Sequence, residues 1–191
     1  MSSYSAFDCL AIGNGIENAI ENFSSEELHI FAYLGCLLSL YRNQPVSEWG
    51  YSFIVSTNGK PFSYDIKESF DEICLLGYIE PLNNYYKLSS KGKMLFDELK
   101  TLHQYSKRLP LLEGACASLL AIPMDVVRNA VANVPEIKRA TLVKSVRSLL
   151  SKTSLDQLYE QFRILSNTFG IEIADLMIPA TAWLSYLAQA D

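Results

Sequence analysis

The stretch SYDIKESFDEICLLGYIEPLNNYYKLSSKG, residues 63–92, carries the strongest local signals in the chain. It opens with Ser63, a residue type suited to capping a helix, and continues with apolar residues at the spacing of one helical stripe. These apolar residues are Ile66, Phe70, Ile73 and Cys74. Gly77 follows, and glycine readily takes the left-handed conformation at a helix end. The pattern predicts an amphipathic helix that stops at Gly77.

Two short runs of aromatic and aliphatic residues come directly after this glycine. They are Tyr78–Leu82 and Tyr85–Leu88, and the pair Asn83-Asn84 joins them. Asparagine tolerates the positive φ that a tight hairpin requires. We therefore expect a very short β-hairpin at residues 78–88.

Helices are also predicted on both sides of this unit. Downstream, Ser89 or Ser90 caps a helix that ends before residue 110. Its apolar positions are Leu95, Leu99 and Leu102. Upstream, Ser24 and Glu27 have the spacing of a capping box, in which each side chain binds the other residue's backbone N–H. Because residues 28–41 contain no acidic or basic residue apart from one histidine, we expect a buried helix there.

The region between these helices predicts a second, shorter helix. Trp49, Phe53 and Ile54 supply its apolar positions, and residues 58–61 end it with turn-forming residues. His29 lies on the preceding buried helix without a second metal-ligand type nearby in sequence. We interpret it as a histidine at the edge of the core.

The order helix, helix, helix, hairpin, helix is typical of a winged helix. The sequence thus predicts a mainly α protein, with a winged-helix domain and short β-hairpin over residues 24–109. Residues 1–23 form an N-terminal segment. Residues 110–191 form a C-terminal helical bundle, in which Pro, Gly and Ser/Thr residues separate one helix from the next.

Four helices are predicted in this C-terminal region. They are Met124–Asn133, Pro135–Ser151, Ser154–Phe169 and Ile171–Ala190, the last with Pro179 as a kink or a start point. The final helix is too apolar to stand alone in water. It must pack on its own domain or on another chain, and Trp183, Tyr186 and Leu187 are the candidate protein-interface residues. Packing against the apolar stripe of residues 154–169 is the alternative.

Composition excludes several classes of protein. Of 191 residues, 49% are hydrophobic and 19% charged, which is too apolar for intrinsic disorder. The net charge of −5 disfavours a general nucleic-acid coat protein. The cysteines, at positions 9, 36, 74 and 116, lack the spacing of a zinc or redox site, so we expect them reduced. With no signal peptide and no membrane-spanning run, the sequence predicts a cytoplasmic protein without cofactor or metal.

The sequence contains no recognisable catalytic motif. His29 and His103 lie far apart, and neither has a serine, cysteine or carboxylate motif around it. No phosphate-binding loop, dinucleotide fingerprint, zinc-protease or nucleophile-elbow motif occurs. We therefore expect no catalytic residues and no enzymatic activity; an enzyme whose site assembles only in three dimensions is the alternative.

Charge distribution decides whether a winged helix of this kind reads DNA. The outward positions of the third helix are Asp65, Glu68, Asp71 and Glu72 against the single cation Lys67, and such a face repels phosphate. Lysines around the hairpin could still touch a DNA backbone: they are Lys87, Lys91 and Lys93.

A basic amphipathic helix is the stronger candidate for an anion-binding site. At 100° per residue, helix 135–151 places its apolar residues on one face and its cations on another. The apolar residues are Leu142, Val143, Val146, Leu149 and Leu150. The cations are Lys138, Arg139, Lys144, Arg147 and Lys152, with Arg139 near the apolar edge. The helix predicts a site for DNA phosphates or an acidic partner; an ordinary solvated helix face is the alternative.

An acidic third helix, a short wing and a helical tail together resemble the small middle component of bacterial ABC-three-component and Lamassu-type defence systems. The resemblance lies in Leu28–Tyr41, Phe70–Ile79 and Tyr86–Gly92. It implies a non-catalytic adaptor between an SMC-like ABC ATPase and an effector, often a nuclease, in anti-phage or anti-plasmid defence. ATP and metal would belong to these partners, and DNA contact would be weak and sequence-independent. The alternative is a winged-helix DNA-binding transcription regulator.

Overall fold

Helices make up most of the computed structural model, which describes residues 3–56 and 58–189. The α-helices are α1 (Ser3–Ile20), α2 (Ser25–Tyr41), α3 (Tyr64–Leu75), α4 (Ser90–Leu99), α5 (Leu109–Ala117), α6 (Met124–Ala132), α7 (Pro135–Val143), α8 (Lys152–Phe169) and α9 (Met177–Ala188). The strands are β1 (Ile54–Val55), β2 (Pro61–Phe62), β3 (Ile79–Leu82) and β4 (Tyr85–Leu88). β1 pairs with β2 and β3 with β4, both antiparallel. The expectation of a mainly α protein with a short hairpin is confirmed.

The region from α3 to α4 follows the sequence pattern closely. Gly77 ends α3 with φ of 74°, and Asn83 turns the β3–β4 hairpin with φ of 56°. The Ser89 hydroxyl caps α4 by accepting the N–H of Gly92 at 3.0 Å. Ser63 lies at the N-cap position of α3, but its side chain makes no capping hydrogen bond.

A single residue between α1 and α2 pairs with this hairpin through an isolated β-bridge. The N–H of Phe23 donates to the carbonyl of Tyr86 at 3.1 Å, and the N–H of Tyr86 donates back at 2.7 Å. On α1, the carboxylate of Glu17 accepts the N–H of Leu88. These bonds attach the N-terminal helix and the link that follows it to β4.

Helix α1 is a central part of the core. Phe7, Cys9, Ile12 and Ile16 are fully buried, and the helix packs against α3, α4 and α5. α1 and α5 approach so closely that a Cβ on Gly15 would clash with Cys116 of α5. The hydrophobic core therefore takes residues from each of the three predicted regions, 1–23, 24–109 and 110–191.

Helix α2 crosses the middle of this core. Its start is the predicted capping box: Ser24 N–H donates to the Glu27 carboxylate at 2.7 Å, and Glu27 N–H donates to the Ser24 hydroxyl at 3.3 Å. Its residues from Glu27 to Tyr41 are all buried. α2 packs against α5 and α8, which agrees with the prediction of a buried helix.

The prediction of a second short helix around Trp49, Phe53 and Ile54 is wrong in its second half. A 3₁₀ turn covers Val46–Trp49, and the chain is then extended through β1. Leu149 N–H donates to the carbonyl of Phe53 at 3.0 Å. A partner about 95 residues away in sequence thus holds this segment extended.

The prediction of one helix over residues 135–151 is also wrong. α7 ends at Val143 because Lys144 adopts the left-handed conformation, with φ of 50° and ψ of 44°. Ser145 N–H then donates to the carbonyl of Ala140 at 3.1 Å, and Lys144 N–H to that of Thr141 at 3.3 Å, which is a Schellman motif. Beyond this turn, Val55 N–H of β1 donates to the carbonyl of Arg147 at 2.8 Å. The predicted helical faces therefore do not exist after Val143.

The C-terminal helix is shorter than predicted and belongs to the core. Pro179 lies in the first turn of α9, as a start point and not as a kink. Trp183 and Leu187 are each 2% exposed, whereas Tyr186 is 60% exposed. The Trp183 indole N–H donates to Gln161 of α8 at 2.9 Å. Trp183 and Leu187 therefore lie in the core, which was the alternative to the predicted protein interface. Ala190, the predicted end of this helix, lies outside the described residues.

Candidate functional site

The outward face of α3 is acidic. Its four carboxylates are the predicted ones: Glu68, Asp71 and Glu72 are exposed, and Asp65 is half-buried. Lys67, the cation among them, forms an ion pair with Asp71 at 2.5 Å. Ile66, Phe70 and Ile73 face inward and are buried, as predicted. A negative face on this helix repels DNA phosphates and attracts a basic surface.

Exposed apolar side chains stand at both ends of this acidic face. Leu75 is 86% exposed and Leu76 is 50% exposed, just before the left-handed Gly77. Tyr64, at the first position of α3, is 65% exposed. We call this set, with the four carboxylates, the α3 face. Apolar groups beside charges of one sign are typical of a protein-binding surface.

The hairpin lysines predicted as DNA contacts have partners within the chain. Lys93 pairs with Glu17 at 2.9 Å. Lys91 lies 4.3 Å above the ring of Tyr78 and donates to a backbone carbonyl at 3.1 Å. Lys87 is 4.0 Å from Glu80. These partners reduce the positive potential that the hairpin presents to a phosphate backbone.

The second predicted set of cations comes from three different elements. Lys138 and Arg139 lie on α7, Lys144 and Arg147 lie in the segment after it, and Lys152 begins α8. All five side chains are exposed. Although they do not share a helix, Arg139 and Arg147 line one cavity of about 340 Å³. Arg139 is 3.4 Å from Glu136, and the Arg147 Nε donates to the hydroxyl of Ser145 at 3.0 Å.

Three aliphatic side chains lie among these cations and face solvent. Leu142 is 86% exposed, and Val143 and Val146 are each 59% exposed. The sequence predicted that they would share one helical face with Leu149 and Leu150; of these five residues, Leu149 alone is fully buried. We call these three residues and the five cations the basic–apolar surface. Beside Leu142 lies an open groove of about 440 Å³, lined by α6, α7 and the turn at residues 58–59.

A buried ionic cluster of Asp8, Arg108 and Tyr51 was not predicted from the sequence. Arg108 donates from Nε and Nη2 to the two carboxylate oxygens of Asp8, each at 2.6 Å. Its guanidinium lies 3.6 Å from the ring centroid of Trp49, and Tyr51 donates its hydroxyl proton to Asp8. Burial raises the pKa of Asp8, and the Arg108 charge and these hydrogen bonds oppose that rise.

The contacts of this cluster indicate a structural role. It joins α1 to the start of α5 and to the 3₁₀ turn, and both charges are buried within the chain. A polar cleft of about 180 Å³ lies beside it, with Arg108 in its lining. A lone aspartate inside the apolar run of α1 was the available sequence signal. Its partner is 100 residues away, so spacing could not identify the pair.

His29 is a core residue, as the sequence analysis interpreted it. Its Nδ1 accepts the N–H of Ser63 at 3.2 Å, and its ring stacks on Phe62 at 4.6 Å. Burial, with a contribution from the charge of Lys67, lowers its pKa to about 4. The ring is therefore neutral at physiological pH and holds the start of α3 against α2.

Residue types suited to metal binding are not grouped in the described part of the chain. Within residues 3–56 and 58–189, no cluster of three or more His, Cys, Asp or Glu could hold a metal ion. The four cysteines are unpaired. Over the same residues, no single helix has the length and apolar content to cross a membrane; one bent pair, Leu109–Leu120 with Met124–Ala132, meets both criteria.

Comparison of the chain with protein-family models, with curated proteins and with solved structures finds no match.

Proposed function

We propose that residues 3–99 form a winged helix whose first helix is α1. The order α1, the Phe23 β-bridge, α2, α3, β3 and β4 supports this assignment, because the Phe23–Tyr86 bridge takes the position of the small third strand. In this frame α2 and α3 are the second and third helices. The β1–β2 ribbon is an insertion between them. This differs from the sequence-based prediction, which began the domain at residue 24.

The acidic α3 face favours protein binding over DNA reading, and it is the observation on which the proposal rests. A DNA-reading winged helix inserts its third helix into the major groove, where phosphates on both sides require a neutral or basic surface. α3 instead presents four carboxylates, with Lys67 neutralising one of them. The exposed Leu75 and Leu76 at its end suit an apolar contact with another protein.

The chain then acts as a non-catalytic adaptor in the cytoplasm. Following its resemblance to the middle component of ABC-three-component and Lamassu-type systems, we propose as partners an SMC-like ABC ATPase and an effector, often a nuclease. The complex would act in bacterial anti-phage or anti-plasmid defence. ATP hydrolysis and metal-dependent cleavage belong to the partners, and the chain itself catalyses neither reaction. DNA contact by the chain alone is weak and sequence-independent.

Co-purification with the ATPase encoded beside its gene tests this function. The variant Glu68→Lys/Glu72→Lys reverses two exposed charges on one face of α3 without touching its buried side. Glu98→Lys on α4 is the control, because that side chain is exposed on a different helix. We expect the α3 variant to weaken binding to the ATPase at least about tenfold, and the control to leave it unchanged.

Three results would contradict the proposal. One is the absence of any long-coiled-coil ATPase among the neighbouring genes. Another is equal ATPase binding by both variants. The third is operator-specific DNA binding that is abolished by substituting the exposed Lys67, because this would identify a transcription regulator instead.

A further inference from the structure

The backbone of the basic–apolar surface keeps three aliphatic side chains exposed to solvent. The Schellman turn at Lys144 ends α7, and the segment beyond it pairs with β1 through the carbonyl of Arg147 and the N–H of Leu149. Backbone bonds on both sides of Val146 therefore fix the path of the chain. Leu142, Val143 and Val146 cannot turn inward without breaking them, so their exposure is a property of the folded backbone.

The charged residues of the sequence stretch that carries these side chains are all basic. Between residues 138 and 152 the sequence contains five basic residues and no acidic one, although the whole chain has a net charge of −5. Glu136, just before this stretch, is the acidic side chain that lines the Arg139–Arg147 cavity. Such a surface attracts an acidic partner and repels a basic one.

The three exposed aliphatic side chains favour a protein partner over DNA. Contacts with a phosphate backbone use cations and hydrogen-bond donors, and exposed Leu or Val side chains add nothing to them. A protein interface, in contrast, typically has an apolar centre and a charged rim. The open groove beside Leu142 offers space for apolar side chains from a partner helix.

We propose that the basic–apolar surface docks an acidic amphipathic helix of a partner protein, with the apolar stripe of that helix on Leu142, Val143 and Val146. Its carboxylates lie against the five cations at the rim. This inference rests on the proposed adaptor function, because an adaptor needs a second surface besides the α3 face. The two surfaces have opposite charge, and each therefore selects a different partner.

Binding of designed peptides to the full chain tests this inference by fluorescence anisotropy. The probe is a labelled helical peptide of about 20 residues, with leucine at helical three–four spacing and glutamate on its other faces. We expect a Kd of about 1–10 μM, weakening with salt. A peptide of the same composition without the helical spacing, and one with lysine in place of glutamate, should bind at least about tenfold more weakly.

Surface variants locate the site. Leu142→Ser/Val146→Ser should weaken peptide binding at least about tenfold, and Arg147→Glu/Lys152→Glu should do the same. Met94→Ser is the apolar control, since Met94 is 66% exposed elsewhere. Lys107→Glu is the exposed charge control. Because all these side chains are exposed, each variant should keep the circular dichroism spectrum and melting temperature of the parent chain.

Several outcomes overturn the inference. No binding by the helical peptide at about 100 μM is one, and equal loss in the Met94→Ser control is another. Duplex DNA or anionic vesicles that bind through the cations but do not respond to Leu142→Ser/Val146→Ser would identify a phosphate site. A dimer that dissociates with that variant would identify a second copy as the occupant. Glu68→Lys/Glu72→Lys should not change peptide binding, so failure here is distinguishable from failure of the adaptor proposal.

Discussion

Replacing Lys144 by glycine should stabilise the protein. Lys144 adopts φ of 50° and ψ of 44°, and the left-handed conformation costs an L-residue about 1–2 kcal/mol. Glycine has no such cost in the folded state, but its greater freedom in the unfolded state offsets about 0.4–1 kcal/mol. The Lys144 side chain is exposed, so its removal loses little packing. We expect a net gain of about 0.5–1 kcal/mol in the free energy of unfolding.

Urea denaturation of the full chain measures this change. With an m-value of about 2 kcal/mol/M, the midpoint should rise by about 0.2–0.5 M while the m-value stays constant. Lys138→Gly is the matched control, because it makes the same substitution inside α7. There glycine should lower the free energy of unfolding by about 0.5–1 kcal/mol.

The sign of the Lys144→Gly effect distinguishes two structures. If the helix continued to Ser151, as the sequence pattern suggests, glycine at position 144 would destabilise the chain by about as much as it does at position 138. That result would refute the left-handed turn. It would also remove the structural reason for the exposure of Val146, and with it the geometry of the basic–apolar surface.

Three further predictions test the core. The contribution of His29 to the free energy of unfolding should fall by about 2 kcal/mol between pH 7.5 and pH 5. The unfolded residue takes up a proton near its ordinary pKa, whereas the folded residue, with a pKa of about 4, does not. His29→Asn should flatten this pH dependence when urea denaturation is measured at each pH. Asp8→Asn leaves the Arg108 cation buried without its anion and should lower the free energy of unfolding by about 3–5 kcal/mol. The double variant Asp8→Leu/Arg108→Met removes both charges and should be more stable than Asp8→Asn; equal stability would argue against an unpaired charge as the cause. Trp183→Ala should cost about 3–5 kcal/mol in thermal or urea unfolding, and Tyr186→Ala at most about 0.5 kcal/mol; equal values would place Trp183 outside the core.

Local signals in the sequence were sufficient at three sites where the structure depends on neighbouring residues. The Ser24–Glu27 capping box, the left-handed Gly77 and the Asn83 turn all follow from bonds or φ angles within a few residues, and all are present in the structure. The acidic character of the α3 face is likewise a property of helical spacing. It depends only on which positions of one amphipathic helix face the core.

The candidate binding surface depended on information that is not local. Residues 135–151 have helical periodicity throughout, but Lys144 turns left-handed and the following residues pair with β1. A backbone partner about 95 residues away outweighs an intrinsic preference worth only tenths of a kcal/mol per residue. The sequence therefore identified the five cations correctly as exposed groups, while the exposure of Leu142, Val143 and Val146 could not be predicted from it.

The sequence by itself determined helices α2, α3, α4 and α8, the capping box of α2, the β3–β4 hairpin and the acidic face of α3, because these follow from residue types at short spacing. Tertiary structure decided which helices are central and which apolar residues remain in solvent. It made α1 a core helix, buried Trp183, and paired Asp8 with Arg108. The physical reason is the same in each case: burial and buried ion pairs depend on partners brought together by folding, and residues 100 positions apart carry no mark in sequence of their contact.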